Sequence, residues 1–117
     1  MNSYNINVLT EKGKMTFDCS MILYVESSLQ FSRITLLDNQ VIELLLTLQE
    51  VEYILLDQGF FKMNNRLLVN LKYVEVVFPS NASKIIMENG KEVLVNYTKR
   101  DELFENLKQV YELHELV

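Results

Sequence analysis

Eight short runs of apolar and β-branched residues, separated by turn residues, constrain the fold of this chain more than any other feature. Such runs between turn signals are typical of β-strands. The Asn89-Gly90 pair predicts a two-residue hairpin turn, because both residues tolerate positive φ. Lys12-Gly13-Lys14 and Asp38-Asn39 mark two further hairpin candidates. The predicted strands cover residues 4–9, 22–25, 31–37, 41–46, 67–71, 74–78, 84–87 and 92–95.

Two segments have helical rather than strand periodicity. Thr47 and Glu50 have the spacing of a helical capping box, and Leu48, Val51 and Leu55 recur on one face of the helix that follows. The second helix is predicted over about residues 99–115. Its apolar stripe consists of Leu103, Leu107, Val110 and Val117, with Phe104 and Tyr111 beside it. Because strands and helices do not alternate, the predicted class is mainly β, with short antiparallel strands in small sheets and two helices.

The size and composition of the chain suit one domain. A chain of 117 residues with 49% hydrophobic content can bury a core without disulfides or a metal. Cys19 is the single cysteine, so no internal disulfide can form. Residues 1–5 lack a signal-peptide pattern, and the apolar region 41–56 carries carboxylates that a membrane span would exclude. We therefore expect a single domain over residues 1–117, located in the cytoplasm and not inserted in a membrane.

No residue set in the sequence indicates catalysis. His114 is the single histidine and lies in an acidic tail, and Cys19 has no evident base. The chain has no glycine-rich phosphate loop and no spaced Cys/His ligand set. The sequence therefore predicts a protein that is not an enzyme and that needs no cofactor and no metal.

A cluster of polar side chains lies between two strongly apolar runs, residues 60–61 and 67–69. The cluster consists of Lys62, Asn64, Asn65 and Arg66. A core would have to satisfy their donors and acceptors at a cost in free energy. We therefore expect a presented loop that faces water or a ligand. The alternative is that Asn64 or Asn65 merely supplies a left-handed turn conformation.

The net charge of −5 opposes a nucleic-acid partner, because phosphate attraction supplies much of the affinity for DNA. The distribution of charge softens this objection. Residues 1–61 hold three basic and eight acidic side chains, residues 62–100 hold seven and three, and residues 101–117 hold one and five. The polar cluster lies in the basic segment, which can form a locally positive face. Alternatively, folding scatters these cations over the surface.

Lys99 and Arg100 occupy the predicted first turn of the second helix. The helix dipole disfavours cations there by about 0.3–1 kcal/mol each. A bound phosphate would compensate, because helix N-termini and basic side chains both attract anions. The alternative is that Asp101 and Glu102 neutralise the two cations.

Residues 59–71 resemble the signature of the LytTR family of DNA-binding domains, in which a Phe-rich strand, a short polar loop and a Val-Asn-Leu strand follow one another. Residues 22–27 resemble the opening strand of the family, and residues 87–95 resemble its later hairpin. Thr47, with the helix it caps, and Lys99 fall where the family has equivalent features. The resemblance covers about residues 5–110. It implies a β scaffold whose loops, rather than a recognition helix, enter successive major grooves of DNA.

The first contact position that the resemblance implies falls on Ser32, beside Arg33, where the family often has a longer polar or basic side chain. Arg33 is chemically suited to bind guanine with two hydrogen bonds. If Phe31 points inward, period-two alternation also turns Arg33 inward and exposes Ser32.

The second implied contact is Asn65, in a loop where the family commonly has His-Arg-Ser or His-Asn-Ser. Asparagine suits adenine and arginine suits guanine, whereas Asn70 is expected to bond backbone groups of the scaffold. The third implied contact falls on Asn96-Tyr97, where the family often has Ser-Arg. Tyr97 can stack or hydrogen-bond but carries no charge, so Lys99 or Arg100 would have to replace the arginine.

The resemblance implies a bacterial transcription regulator that binds duplex DNA sequence-specifically, on paired repeats and as a dimer. The family usually carries this domain behind a phosphorylatable receiver, which does not fit in 117 residues. We therefore expect a stand-alone regulator or a domain excised from a response regulator. The alternative is a degenerate LytTR-like interaction module with weak or no DNA binding and a regulatory protein partner. The missing arginine and the acidic last helix favour this alternative.

Overall fold

The computed structural model describes the backbone of residues 4–78 and 84–115 and the side chains of residues 4–75 and 84–110. It divides into two compact units, the first ending at Asn70 and the second beginning at Leu71. In the first unit, strands β1 (Asn5–Thr10), β2 (Gly13–Asp18), β3 (Ile22–Ser28), β4 (Phe31–Leu36) and β5 (Val41–Leu44) precede helix α1 (Leu48–Ile54), and β6 (Phe60–Asn64) and β7 (Leu67–Asn70) follow it.

The first unit is built on one seven-stranded antiparallel sheet with the strand order β2-β1-β5-β4-β3-β7-β6. Its buried apolar side chains form one cluster: Ile6, Val8, Phe17, Cys19, Ile22, Val25, Ile34, Leu44, Leu48, Val51, Leu55 and Leu68. The strict alternation of exposed and buried residues in β1 shows why this strand forms, since each apolar residue on its inner face removes surface from water.

Helix α1 begins at the predicted capping box. The Thr47 hydroxyl oxygen accepts from the Glu50 backbone N–H at 3.1 Å, and the Glu50 carboxylate accepts from the Thr47 N–H at 2.9 Å. Val51 and Leu55 lie in the core, and the helix packs against β3 and β7. Asn70 is buried and donates its amide to the Ile22 carbonyl at 2.9 Å, which confirms its expected scaffold role.

The second unit contains a three-stranded antiparallel sheet with the order β10-β9-β8. The strands are β8 (Val74–Phe78), β9 (Lys84–Met87) and β10 (Glu92–Leu94), and 3₁₀ helices at Leu71–Tyr73 and Tyr97–Lys99 flank them. Helix α2 (Arg100–Glu115) contacts both 3₁₀ helices. Leu103 and Leu107 on the predicted apolar stripe are buried, which confirms its inner part. Val117 and the side chain of Tyr111 lie outside the described residues.

The structure confirms the mainly β class and corrects two details. Strand β2 was not among the eight predicted runs, and β6, also outside them, is the Phe-rich strand that the family resemblance implied. The predicted two-residue turn at Asn89-Gly90 is wrong, because the loop has three residues: the Met87 N–H donates to the Lys91 carbonyl and the Gly90 N–H donates to the Met87 carbonyl. Only Gly90 takes positive φ in this loop, as in a type I turn with a left-handed glycine.

The expected single domain over residues 1–117 stays a prediction. Within the described part of the chain, neither helix has the length and apolar character needed to cross a bilayer.

Candidate nucleic-acid interface

The turn between β6 and β7 holds the centre of the predicted polar loop. Asn64 pairs with Leu67, which leaves Asn65 and Arg66 as a two-residue turn. The Asn64 side-chain oxygen accepts from the Arg66 N–H at 2.8 Å and fixes the turn. Neither asparagine has positive φ. The alternative in which one of them merely supplies a left-handed conformation is therefore wrong.

Asn65 and Arg66 present unused hydrogen-bonding groups. Both residues are exposed, and their side chains have no hydrogen-bond or ion-pair partner among the residues that the structure describes. An asparagine amide offers one acceptor and two donors, and a guanidinium offers a fork of donors. These are the groups that pair with adenine and guanine, respectively, in the major groove. The turn therefore presents hydrogen-bonding groups of the kinds that suit adenine and guanine edges.

A second turn lies next to the first. Ser28 pairs with Phe31 at the end of the β3–β4 hairpin, so Leu29-Gln30 forms another two-residue turn. Strands β3 and β7 are neighbours in the sheet, and the Ser27 N–H donates to the Arg66 carbonyl at 2.9 Å. Both turns therefore project from the same end of the sheet. The sequence does not predict this second turn, because Leu-Gln carries no turn signal.

The structure corrects the expected placement of Ser32. The expected alternation is reversed: Phe31 is 37% exposed, whereas Ser32 is fully buried and donates its hydroxyl to the Leu46 carbonyl at 2.7 Å. A buried hydroxyl with a satisfied donor cannot reach a base edge.

Arg33 lies on the opposite face of β4 from Ser32 and is partly exposed. Its Nε lies 3.0 Å from the Glu43 carboxylate on β5, and Glu26 on β3 is its register partner on the other side. The guanidinium is therefore held at an acidic neighbour. Its terminal nitrogens are the groups left for an outside partner.

Lys62 lies on β6 just before the polar turn. A bulge between Lys62 and Asn64 leaves Met63 as the extra, buried residue, which bends the strand into the turn. The Lys62 ammonium lies 3.6 Å from the Glu52 carboxylate, with 37% and 35% of the two side chains exposed. Surface ion pairs of this kind contribute about 0–1 kcal/mol. Lys62 can therefore exchange Glu52 for a phosphate at low cost.

In the second unit, an asparagine again fixes the segment that carries a candidate contact. The Asn96 side-chain oxygen accepts from the Thr98 N–H at 3.0 Å and from its hydroxyl at 2.9 Å. This bond caps the 3₁₀ helix Tyr97–Lys99, and the Tyr97 side chain is 84% exposed. An exposed phenol can stack on a base or donate one hydrogen bond, but it attracts no phosphate.

Lys99 and Arg100 are engaged at the start of α2. The Lys99 ammonium lies 3.7 Å from the Glu102 carboxylate, and the Arg100 guanidinium lies 5.6 Å from the centre of the Phe104 ring. For Lys99, the alternative of neutralisation by an acidic neighbour is therefore the one observed, and that neighbour is Glu102. Arg100 instead rests on an aromatic face, a cation–π contact.

Cys19 differs from these groups in being inaccessible. It is 5% exposed, and burial, with a smaller contribution from the Asp18 charge, raises the pKa of its thiol to about 11. The thiol is protonated at neutral pH and unsuited to act as a nucleophile. Within the described ranges, no group of three or more His, Cys, Asp or Glu side chains is placed to hold a metal ion.

Comparison with known proteins bears on the fold and the family. The model of the LytTr DNA-binding domain matches residues 12–108. Among solved structures, the chain is similar to the LytTr DNA-binding domain of a protein assigned as a methyl-accepting/DNA response regulator from Bacillus cereus, with a TM-score of 0.71 and 21% identity. The match covers 92% of this chain and 98% of that one. Comparison with curated proteins finds no match. Since the family model spans most of its length, the chain belongs to the LytTR family of DNA-binding domains.

Proposed function

We propose that this protein is a transcription regulator that recognises specific duplex DNA with the turns at one end of its larger sheet. The observation that carries the proposal is the Asn65-Arg66 turn, whose side chains are exposed and have no partner among the described residues. Folding gains nothing from these groups. An adenine and a guanine edge in the major groove would satisfy both.

The backbone of this turn is fixed before any ligand binds. Asn64 accepts from the Arg66 N–H, and the Arg66 carbonyl accepts from the Ser27 N–H on β3. A preorganised loop loses less conformational entropy on binding than a mobile one. This rigidity supports base reading over loose electrostatic attraction.

The other candidate contacts have graded roles in this proposal. In the first unit, Lys62 contacts a phosphate after leaving Glu52. In the second unit, Lys99 does so after leaving Glu102, and Arg100 and Tyr97 bind beside Lys99. Arg33 contributes only through its terminal nitrogens, because its Nε is buried beside the Glu43 carboxylate. Ser32 makes no contact, since it is buried. With a net charge of −5, sequence-independent attraction is weak and direct readout supplies most of the affinity.

We further propose that two copies bind as a dimer on paired repeats. One sheet end covers only a few base pairs, and proteins that read short half-sites gain specificity by occupying two of them at a fixed spacing. Regulation of transcription by this domain, as in a response regulator, implies a cytoplasmic location and excludes catalysis as the primary role.

The test is selection from a random duplex library, followed by titration of the enriched duplex at near-physiological salt. We expect a motif with adjacent A·T and G·C pairs, repeated twice, and a preference over random duplex of about a thousandfold or more. Asn65→Ala should weaken binding to the motif. Asn5→Ala is the matched control, because it removes an exposed asparagine from β1, four strands away from β7.

A second function has its own supporting observation. Leu94 and Tyr97 of the second unit are 75% and 84% exposed, near the position where the family often has an arginine. Exposed apolar and aromatic side chains are enriched at protein interfaces. A LytTR-like interaction module would use this surface for a regulatory protein partner. Absence of any enriched duplex, together with a complex that Tyr97→Ala disrupts, would replace the DNA-binding proposal with this one.

A further inference from the structure

Leu29 has a backbone conformation that its residue type disfavours. Among the described non-glycine residues, Leu29, Asn39 and Asp57 take positive φ, at 45°, 69° and 64°. Asparagine and aspartate tolerate this region because their short side chains form hydrogen bonds with the nearby backbone. A leucine side chain forms no such bond. A two-residue turn with positive φ at its first position normally has glycine there. The turn itself therefore does not select leucine.

The protein core does not select it either. The Leu29 side chain is fully exposed, at 107% of its reference area, which is the largest value among the exposed apolar residues of the described chain. Burial of a leucine stabilises a fold, but this side chain removes no surface from water. Both the backbone and the solvent thus disfavour the residue, and this combination indicates a role outside the fold.

The position of Leu29 suggests what it contacts. It lies two residues beyond Ser27, which donates to the Arg66 carbonyl at 2.9 Å. Neighbouring strands are about 4.8 Å apart, and successive base pairs are stacked about 3.4 Å apart. If Asn65 and Arg66 read base edges, the Leu29 side chain faces a base pair one or two steps away.

We propose that Leu29 reads the 5-methyl group of a thymine in the major groove. This inference rests on the proposed function. The thymine methyl is the apolar group that base edges present there, and apolar side chains recognise it by contact. The end of the sheet would then combine three readouts: an amide for adenine, a guanidinium for guanine and an isobutyl group for thymine.

The experiment replaces each thymine of the selected duplex, one at a time, with deoxyuridine. This change removes the methyl group and keeps every hydrogen-bonding group of the base pair. For the native protein we expect one position per half-site at which affinity falls about fourfold, the ratio expected for one buried methyl group. Leu29→Gly should bind the unmodified duplex correspondingly more weakly and lose its sensitivity at that position. Retained sensitivity in Leu29→Gly would overturn the proposal.

Two controls separate the outcomes. Leu56→Ala removes another exposed leucine, 57% exposed in the turn after α1, and should keep full sensitivity to deoxyuridine. If Asn65→Ala weakens binding but no thymine methyl matters, the Leu29 inference fails and the proposed function stands. If no duplex is enriched, both fail. If Leu29→Gly instead abolishes self-association of the free protein in sedimentation, Leu29 contacts a second copy and the thymine assignment is wrong.

Discussion

The two neighbouring turns at the end of the larger sheet have the same length, but the residue type at the first position of each is the one that the other turn's backbone would favour. The Leu29-Gln30 turn requires positive φ and has leucine at that position, whereas the Asn65-Arg66 turn does not require it and has asparagine. Asparagine tolerates positive φ far better than leucine. Local backbone preference alone would exchange the two residues.

Other turns of the same unit show the ordinary rule. Asn39 and Asp57 take positive φ, and both are residue types that favour it. Residue type and backbone thus agree where the turn only reverses the chain. They disagree where the two turns adjoin, which indicates that the side chains there are retained for what they contact outside the fold.

The largest expected effect is on specific DNA binding. Replacing Asn65 or Arg66 with Ala should each weaken binding to the selected duplex by about 1–3 kcal/mol, because each loses its base contacts. The melting temperature should hardly change, since neither side chain has a partner among the described residues. Titration and thermal unfolding of the same samples measure both quantities.

Two further variants make this result specific. Arg66→Lys keeps the charge but loses the two-pronged donor geometry, so it should recover little of the discrimination for guanine. Lys14→Ala removes one exposed cation from β2 and should leave specific binding nearly intact. Loss of stability with unaltered binding in Asn65→Ala would show that the turn is only structural.

The next effect is on stability, and its sign differs between the two turns. Leu29→Gly should raise the free energy of unfolding by about 0–1.5 kcal/mol, because the relief of about 1–2 kcal/mol of steric cost at positive φ exceeds the roughly 0.4–1 kcal/mol that glycine adds to the entropy of the unfolded chain. Asn65→Gly should lower it by about 0.4–1 kcal/mol, because glycine adds entropy to the unfolded chain where no positive φ is needed. Denaturant titrations of both variants measure the difference. Changes of the same sign would remove the contrast between the turns.

Parts of the fold follow from the sequence because the signals are local. The Thr47/Glu50 spacing predicted the start of α1, since both partners of a capping box lie within one helical turn. The polar cluster predicted an exposed loop, because burying its donors unpaired would be costly. Asn70 was likewise expected in the scaffold and bonds the Ile22 carbonyl.

Other parts depend on contacts between distant residues. The sequence left open which face of β4 points into the core, because either Phe31 or Ser32 could be buried. Ser32 is the buried residue, and its hydroxyl donates to the carbonyl of Leu46. The ion pair of Arg33 with Glu43 depends on which strands become neighbours. The Leu29-Gln30 turn lacked any turn residue. None of these features has a signal within a short stretch of sequence.

A smaller effect concerns the bond that shapes the polar turn. Asn64→Ala removes the acceptor of the Arg66 N–H and should cost about 0.5–1.5 kcal/mol of stability, the usual value of one such hydrogen bond. Binding should weaken by no more than this amount, because the turn can still adopt its bound form. Asn64→Asp keeps the acceptor and should restore stability. If Asn64→Ala were fully stable yet unable to bind, Asn64 itself would be a base contact.

The smallest effect on stability is expected for the cation beside the turns. Lys62→Gln breaks the pair with Glu52, so unfolding should change by about 0–1 kcal/mol. If Lys62 contacts a phosphate, affinity should fall similarly for all duplexes, and the slope of log affinity against log salt should fall by about 0.9. Glu52→Gln frees Lys62 and removes a repulsive charge, so it should raise affinity for every duplex. Lys14→Gln on β2 is the matched control and should leave the slope unchanged. An unchanged slope in Lys62→Gln would confine the interface to the two turns, whose contacts carry sequence information but little of the electrostatic attraction.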